Sequence, residues 1–190
     1  SWVDEWHRTQ VSEHSYYCSD FKFRKGMVSD KNTPVYTLHM ADGMWLNKSF
    51  KNSILQRIAK CELDGKRYVY SDLGFVLLQQ VVEKVTELPM DLYLAREFYA
   101  PMGLQRTMFL PLTKFTKAEI MPTASNDFLR RQDICGYVHD ETAACMGGVS
   151  GNAGLFSTAE EVAKVYQMLL NGGEFNGKRF LSKATCRLFT

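Results

Sequence analysis

Between Asp72 and Thr86 the residues Leu73, Val76, Leu77, Val81 and Val85 recur at helical spacing, and Phe75, Leu78 and Val82 widen that stripe into an arc. The spacing predicts a helix over about 72–86, and so broad an apolar arc predicts one covered on most of its sides. Leu88-Pro89 stops it, and Met90 to Tyr99 reads as a further helix ended by Pro101 and Gly103. Upstream, Ser49 is a candidate N-cap for a helix with Phe50, Ile54, Leu55 and Ile58 on one face. Downstream, Ser157-Thr158-Ala159-Glu160 has the S/T-x-x-E form of a capping box. The helix it opens sets Val162, Val165, Tyr166, Leu169 and Leu170 on one side and closes at Asn171-Gly172-Gly173. A tight hairpin is expected around Asn176-Gly177, and a further helix from Ser182.

The rest of the chain carries weaker signals. Residues 1–48 read as an irregular, aromatic-rich lead-in with short strand-like pieces such as Val35-Tyr36-Thr37-Leu38. Its aromatics Trp2, Trp6, Tyr16, Tyr17, Phe21 and Phe23 read as core filling before they read as a sugar-stacking platform. Thr107 to about Arg130, with Pro111 and Pro122, reads as a long ordered connection. The whole is taken as one partial domain over 1–190, with 49–190 as its helical lobe. The expected architecture is therefore mainly α with short β hairpins.

Composition narrows the function. Among 190 residues, 23 Lys and Arg stand against 21 Asp and Glu, a net charge of +2, with no long basic block. That removes the electrostatic footprint of a nucleic-acid binder, and Lys22, Arg24 and Lys25 read as a solvated face. No apolar run is long enough to span a bilayer. The five cysteines include no C-x-x-C pair and read as small buried hydrophobes. His7, His14, His39 and His139 show no ligand spacing, so neither a metal nor a cofactor is expected. Gly172 to Lys178 has the G-x-x-x-x-G-K spacing of a phosphate loop, but Arg179 stands where Ser or Thr is needed and a helix precedes it. Gly148-Val149-Ser150-Gly151-Asn152 fails the nucleophile-elbow pattern at Asn152.

One segment points to chemistry. Tyr70-Ser71-Asp72 places a tyrosine immediately before the buried-type helix, with Ser71 or Asp72 able to cap its first turn. Tyr70 then sits beside the positive end of the helix. On spacing alone it reads first as a packing residue.

The run YSDLGFVLLQQVVEKVTELPMDLYLAREFYAPMGLQRTMF resembles the penicillin-recognising serine hydrolases, a family of class C β-lactamases, DD-peptidases and related esterases. There Y-[SA]-N opens a buried helix, and a P-L/M-G-L/M-x-x-T sequence follows, which here reads Pro101 to Thr107. A second block, GYVHDETAACMGGVSGNAGLFSTAEEVAKVYQMLLNGG, is similar to the V-H-D and G-G-V-A-G-H-A-G-L-F-S-T-A segments of one branch. With the lead-in at Ala41-Asp42-Gly43-Met44-Trp45-Leu46, the pattern resembles serine-hydrolase modules that some Bacteroidetes carry behind a family 3 glycoside hydrolase domain.

The resemblance implies the helical lobe of the β-lactamase/penicillin-binding-protein-like fold and an acyl-serine mechanism on a peptide, β-lactam or ester bond. Tyr70 would shuttle protons, Asp72 would orient a lysine or the substrate's amide, and His139 and Asp140 would line the cleft. It also implies a location outside the cytoplasm, such as the periplasm, and a small-molecule or cell-wall peptide or ester as substrate. Two departures are Asp72 in place of Asn and Asn152 in place of His.

A larger one is that such enzymes need S-x-x-K on a helix and a late K-T-G or H-x-G strand. No K-[ST]-G or H-x-G is present, and the chain is read as lacking the nucleophile helix. The expectation is an internal fragment, inactive alone, with an exposed apolar surface and a tendency to self-associate. The competing expectation is a non-catalytic helical module that binds glycan or a partner.

Overall fold

The opening hairpin pairs β1 (Val3–Ser12) with β2 (Ser15–Phe23) in antiparallel register, Trp6 opposite Phe21 and Thr9 opposite Tyr17. The structure is a computed structural model; it describes residues 3–13, 15–62, 65 and 68–190, with side chains described outside 3–8 and 15–19. A three-stranded sheet follows, with β5 (Met44–Asn47) between β3 (Val28–Ser29) and β4 (Tyr36–Ala41). The lead-in expected to be irregular thus carries five strands. Register shifts at three places in β1·β2 and two in β4·β5 break the period-two alternation by which a strand is recognised in sequence. Of the aromatics expected to fill the core, Phe21 is buried and meets Phe23 edge-on at 5.1 Å and Phe128 at 5.0 Å. Trp2 and the side chains of Trp6, Tyr16 and Tyr17 lie outside the described residues.

Helices then take over. α1 (Ser49–Ala59) starts one residue before the position expected: Ser49 is inside it, Lys48 is the N-cap, and the Asn47 side chain accepts from the Ser49 N–H and hydroxyl at 3.0 and 2.8 Å. α2 (Asp72–Thr86) has the bounds its periodicity predicts, is capped by Ser71, which accepts from the Leu73 N–H at 3.3 Å, and ends on Glu87 in the left-handed conformation. α3 (Met90–Leu94) runs into a π-helical turn at Ala95–Tyr99, so the expected helix is present with its last turn widened. After two short 3₁₀ turns, β6 (Pro122–Asp127) pairs with β7 (Gln132–Cys135) inside and beyond what reads in sequence as a connection. α4 (Glu141–Cys145) and α5 (Ala159–Leu170) follow.

The cap expected at Ser157 forms one residue later, without a reciprocal box: Thr158 caps α5 and accepts from the Glu161 N–H at 3.3 Å, while the Glu161 carboxylate is taken by Gln105, Arg106 and Thr107. Ser157 instead bonds the Thr107 hydroxyl at 2.7 Å, and Glu160 pairs with Lys164 at 3.0 Å. The hairpin β8 (Glu174–Phe175) and β9 (Lys178–Arg179) turns on Asn176 and Gly177, both at positive φ. α6 (Lys183–Phe189) is capped by Ser182.

Two clusters form the core. The larger joins Phe21 of β2, Met40 and Leu46 of the three-stranded sheet, Leu129, Val138 and the Ala143-Ala144-Cys145 face of α4. The smaller packs Met102 and Leu104 on Met168 of α5. Helix framework and small separate sheets agree with the mainly α expectation, and the largest sheet among the described residues has three strands.

The covering of α2 departs from expectation. Only Val76 and Gln79 are buried, while Phe75, Leu78, Val81 and Val85 are exposed by 48, 56, 54 and 77%. An apolar arc reports a need for cover, not its supply. Among the described residues cover comes from one side. No helix of the described residues is long and apolar enough to cross a membrane.

Candidate functional site

Tyr70 lies two residues ahead of α2 and is 77% exposed. Ser71 accepts from the N–H of Leu73, the second residue of α2, and Asp72 is the one acidic residue of the first turn, where the helix dipole favours negative charge. Both predicted site residues thus stand at the positive end of one helix.

The glycine-rich segment is pressed onto that helix. A Cβ on Gly151 would stand 2.0 Å from the Phe75 carbonyl oxygen, so only glycine permits this approach. The buried Gln79 side chain donates to the Val149 carbonyl at 3.3 Å and to Glu83 at 3.0 Å, tying loop to helix. Ser150, rejected above as a nucleophile, is buried and donates to Asn152 at 2.7 Å. Asn152 in turn donates to Asp140 at 3.1 Å. Asp140 also caps α4, accepting from the Ala143 N–H at 2.7 Å. Asp140 therefore holds the glycine-rich loop against α4, and Asn152 is the residue that reaches it.

His139 directs a largely exposed ring toward Asp127, 3.8 Å away. Its backbone is fixed from behind by Arg130, a buried guanidinium whose Nη2 donates to the Val138 and His139 carbonyls at 2.5 and 2.8 Å. Burial lowers the Arg130 pKa, and Asp127 opposes this most strongly. Arg130 carries no motif signature, because burial of a cation behind a loop is a tertiary fact.

Between α1, the first turn of α2 and α4 lies a cavity of about 300 Å³. Phe50, Ile54 and Ile58 of α1 and Leu73 of α2 face Glu141 and Thr142 of α4 across it. Its lining brings α2 and α4 together, but Tyr70, Asp72, His139 and Asp140 are not part of it. Burial raises the Glu141 pKa, as do Asp127 and Asp140, while Arg130 and His139 oppose the rise. Cys145, at the same wall, has its thiol pushed up to about 12, chiefly by burial, and is no ready nucleophile. Glu141 is the candidate that sequence reading missed.

A second polar cluster lies on the three-stranded sheet. His39 stacks on Trp45 at 3.8 Å and 6°, and its Nε2 is 3.1 Å from the Tyr137 hydroxyl. That hydroxyl donates to Asp42 at 3.0 Å, and Asp42 pairs with Lys117. The Tyr137 proton is used on Asp42, so His39 Nε2 must donate to the phenol oxygen. Burial lowers the His39 pKa and Asp42 opposes this; burial and the bond to Asp42 raise that of Tyr137. This network ties the sheet to the connection at Lys117.

One Ser-x-x-Lys spacing does occur in the chain, Ser19-Asp20-Phe21-Lys22. It lies in strand β2, opposite His7 to Glu5 of β1. Residues three apart share a face on a helix and alternate faces in a strand, so this spacing does not stack Ser on Lys as a nucleophile helix does. Among the described residues the cysteines Cys61, Cys135, Cys145 and Cys186 are free, with the last two buried and Cys61 exposed. No group of three His, Cys, Asp or Glu that could hold a metal occurs among the described residues.

A Salmonella agona protein described as "Putative D-alanyl-D-alanine carboxypeptidase" is 33% identical over 207 residues, covering 93% of this chain and 48% of that protein. A Salmonella typhi protein of the same description is 36% identical over 155 residues, covering 74% of this chain and 36% of that protein. The chain thus spans half or less of the length of these relatives. The octameric penicillin-binding protein homologue from Pyrococcus abyssi aligns with 83% of this chain and 31% of its own, at 18% identity and a TM-score of 0.46, too loose a likeness to place any residue. The sequence model of the Beta-lactamase family matches residues 11–190, nearly the whole chain, and the protein belongs to that family.

Proposed function

We propose that this chain is the tyrosine-bearing part of an acyl-serine hydrolase acting on a peptide, β-lactam or ester bond. The observation that carries the reading is the position of Tyr70: next to a capped helix N-terminus and 77% exposed, where a packing residue would be covered. In this role the phenol is a proton shuttle. It takes the proton of an attacking serine hydroxyl and delivers it to the leaving group, then repeats the exchange with the deacylating water. The first step requires the phenolate form of the side chain. Asp72, one residue beyond the cap, is placed to pair with a lysine at that site or to accept from a substrate amide.

The nucleophile, its lysine and the oxyanion donors belong, in this proposal, to sequence outside these residues, and the isolated chain does not turn over. The carboxypeptidase relatives favour a peptide substrate in the cell wall and a location outside the cytoplasm. The exposed face of α2 is the surface on which the rest of the enzyme packs, and it makes the isolated chain prone to self-association.

The test has two parts. The isolated chain should leave a chromogenic β-lactam and a p-nitrophenyl ester unhydrolysed, and turnover by it would end the partial-site reading. In the full-length protein Tyr70→Phe should cut acylation at least about a hundredfold, the lower range for general acid–base catalysis. Wild-type rates there would leave Tyr70 a surface residue and favour a binding module over an enzyme.

A further inference from the structure

Four consecutive residues, Val149 to Asn152, bond alternately to two helices. Val149 and Gly151 bear on α2. The Val149 carbonyl accepts from the buried Gln79 side chain at 3.3 Å, and Gly151 lies so close to the Phe75 carbonyl that a Cβ would stand 2.0 Å from its oxygen. Ser150 and Asn152 bear on the cap of α4. The buried Ser150 hydroxyl donates to Asn152 Oδ1 at 2.7 Å, and Asn152 Nδ2 donates to Asp140 Oδ1 at 3.1 Å. That same oxygen accepts from the Ala143 N–H at 2.7 Å. The segment is thus a strap between the N-cap of α4 and the first two turns of α2. We propose that Asn152 is a positioning residue for Tyr70: its bond to Asp140 fixes the strap, and the strap fixes the helix end beside which Tyr70 stands. The inference rests on the proton-shuttle reading of Tyr70 and adds a residue that acts through it.

The hydrogen-bond inventory makes Asn152 the joint. The Ser150 hydroxyl spends its proton on the amide oxygen, so the amide nitrogen is left to face the carboxylate, which accepts. Neither partner of Asn152 can be exchanged without turning the amide over. The strap also matters more to α2 than a loop contact usually does, because Val76 and Gln79 are the buried residues of that helix and Gln79 is the one the strap engages. Tyr70, 77% exposed, has little burial of its own to hold it. Its place is inherited from the helix end, where Ser71 accepts from the Leu73 N–H. Proton transfer needs the phenol oxygen within hydrogen-bond reach of its partners, so a small displacement of that end costs rate before it costs folding.

The test is a double-mutant cycle in the full-length protein, with steady-state kinetics on a chromogenic β-lactam and a p-nitrophenyl ester. Asn152→Ala should lower kcat about ten- to a hundredfold and leave KM within about threefold, since orientation is lost and substrate contacts are kept. On the Tyr70→Phe background the same change should cost less than about threefold, because the proton it would misplace is already gone. Asp140→Asn, which keeps an acceptor for Asn152 and for the α4 cap, should lose less than Asp140→Ala.

Circular dichroism at the assay temperature establishes that each variant is folded, and Asn152→Ser replaces Asn152→Ala in the cycle if the latter is not. Unchanged kcat in folded Asn152→Ala overturns the proposal. So does a loss of equal size with and without the Tyr70 hydroxyl, the mark of a merely structural role. Equal losses in Asp140→Asn and Asp140→Ala overturn it as well, by giving the Asp140 charge a direct part in the reaction. Wild-type rates in Tyr70→Phe would defeat the proton-shuttle reading and this inference with it, whereas an impaired Tyr70→Phe beside an unimpaired Asn152→Ala defeats this inference alone.

Discussion

The Thr107 hydroxyl donates to the buried Glu161 carboxylate at 2.6 Å. The same carboxylate accepts the Gln105 and Arg106 N–H groups, at 2.7 and 3.0 Å. Thr107 is the last residue of the Pro101-to-Thr107 motif, and Glu161 is in the first turn of α5. The motif's threonine is therefore a clamp between the chain leaving Tyr99 and the helix that follows the glycine-rich loop.

Removing Glu161 leaves three donors without their acceptor. Glu161→Ala should cost about 2–3 kcal/mol and Thr107→Val about 1–2 kcal/mol, with less than additive loss in the double variant because the two share one bond. Urea unfolding of the four proteins checks this. Burial alone would raise the Glu161 pKa, but the Thr107 hydroxyl and the N–H groups of Gln105 and Arg106 outweigh it and hold it low. A depressed folded value means that the clamp's contribution is complete above the unfolded value of 4.5 and is lost as pH falls through the folded one. The wild type should lose its advantage over Glu161→Gln in that acidic window.

Gly151→Ala forces a methyl group into the Phe75 carbonyl, at 2.0 Å on the present backbone. Backbone cannot yield as a side-chain end can, and a loss of about 2–3 kcal/mol is expected. Gly74→Ala, in the first turn of α2 with nothing within 4 Å of the added Cβ, is the contrasting case and should stabilise by up to about 1 kcal/mol. Paired thermal melts decide both. A tolerated Gly151→Ala would mean that the loop does not bear on α2.

His39 and Tyr137 predict opposite limbs of a pH profile. The folded His39 pKa is depressed, so the unfolded chain binds the extra proton first and stability falls as pH drops below the unfolded value of 6.5. The folded Tyr137 pKa is raised, so stability falls as pH climbs through the unfolded value of 10.0. Stability curves for His39→Gln should lack the first limb, and those for Tyr137→Phe the second. Identical curves for wild type and variant would detach that residue from the network.

The uncovered side of α2 gives a prediction about association. Val81→Lys with Val85→Lys changes two exposed positions on one face and leaves Val76 and Gln79 buried. Sedimentation velocity should show the unmodified chain associating with concentration and the doubly substituted one remaining a monomer. Equal behaviour would leave that face inert.

The bounds of α2 were legible because 3.6-residue periodicity, a serine cap and Leu88-Pro89 all report the same segment. The strands of the lead-in were not, because bulged register in β1·β2 and β4·β5 scrambles the alternation. Ser157 and Thr158 are both competent caps by residue type; in the fold Thr158 takes the position and Ser157 bonds Thr107. The positions of Tyr70 and Asp72 were legible through their motif. Asp140 was too, but its bonds to Ala143 and Asn152 emerge only in three dimensions. Helical periodicity and the family motifs are properties of neighbours along the chain, and the sequence by itself determined them. Which apolar face of α2 is covered, why Gly151 must be glycine and how Glu141 comes to a cavity wall depend on segments far apart in sequence. Those were decided by the tertiary structure, because burial and close contact are set by what packs against a residue, and the residue's own neighbours do not encode that.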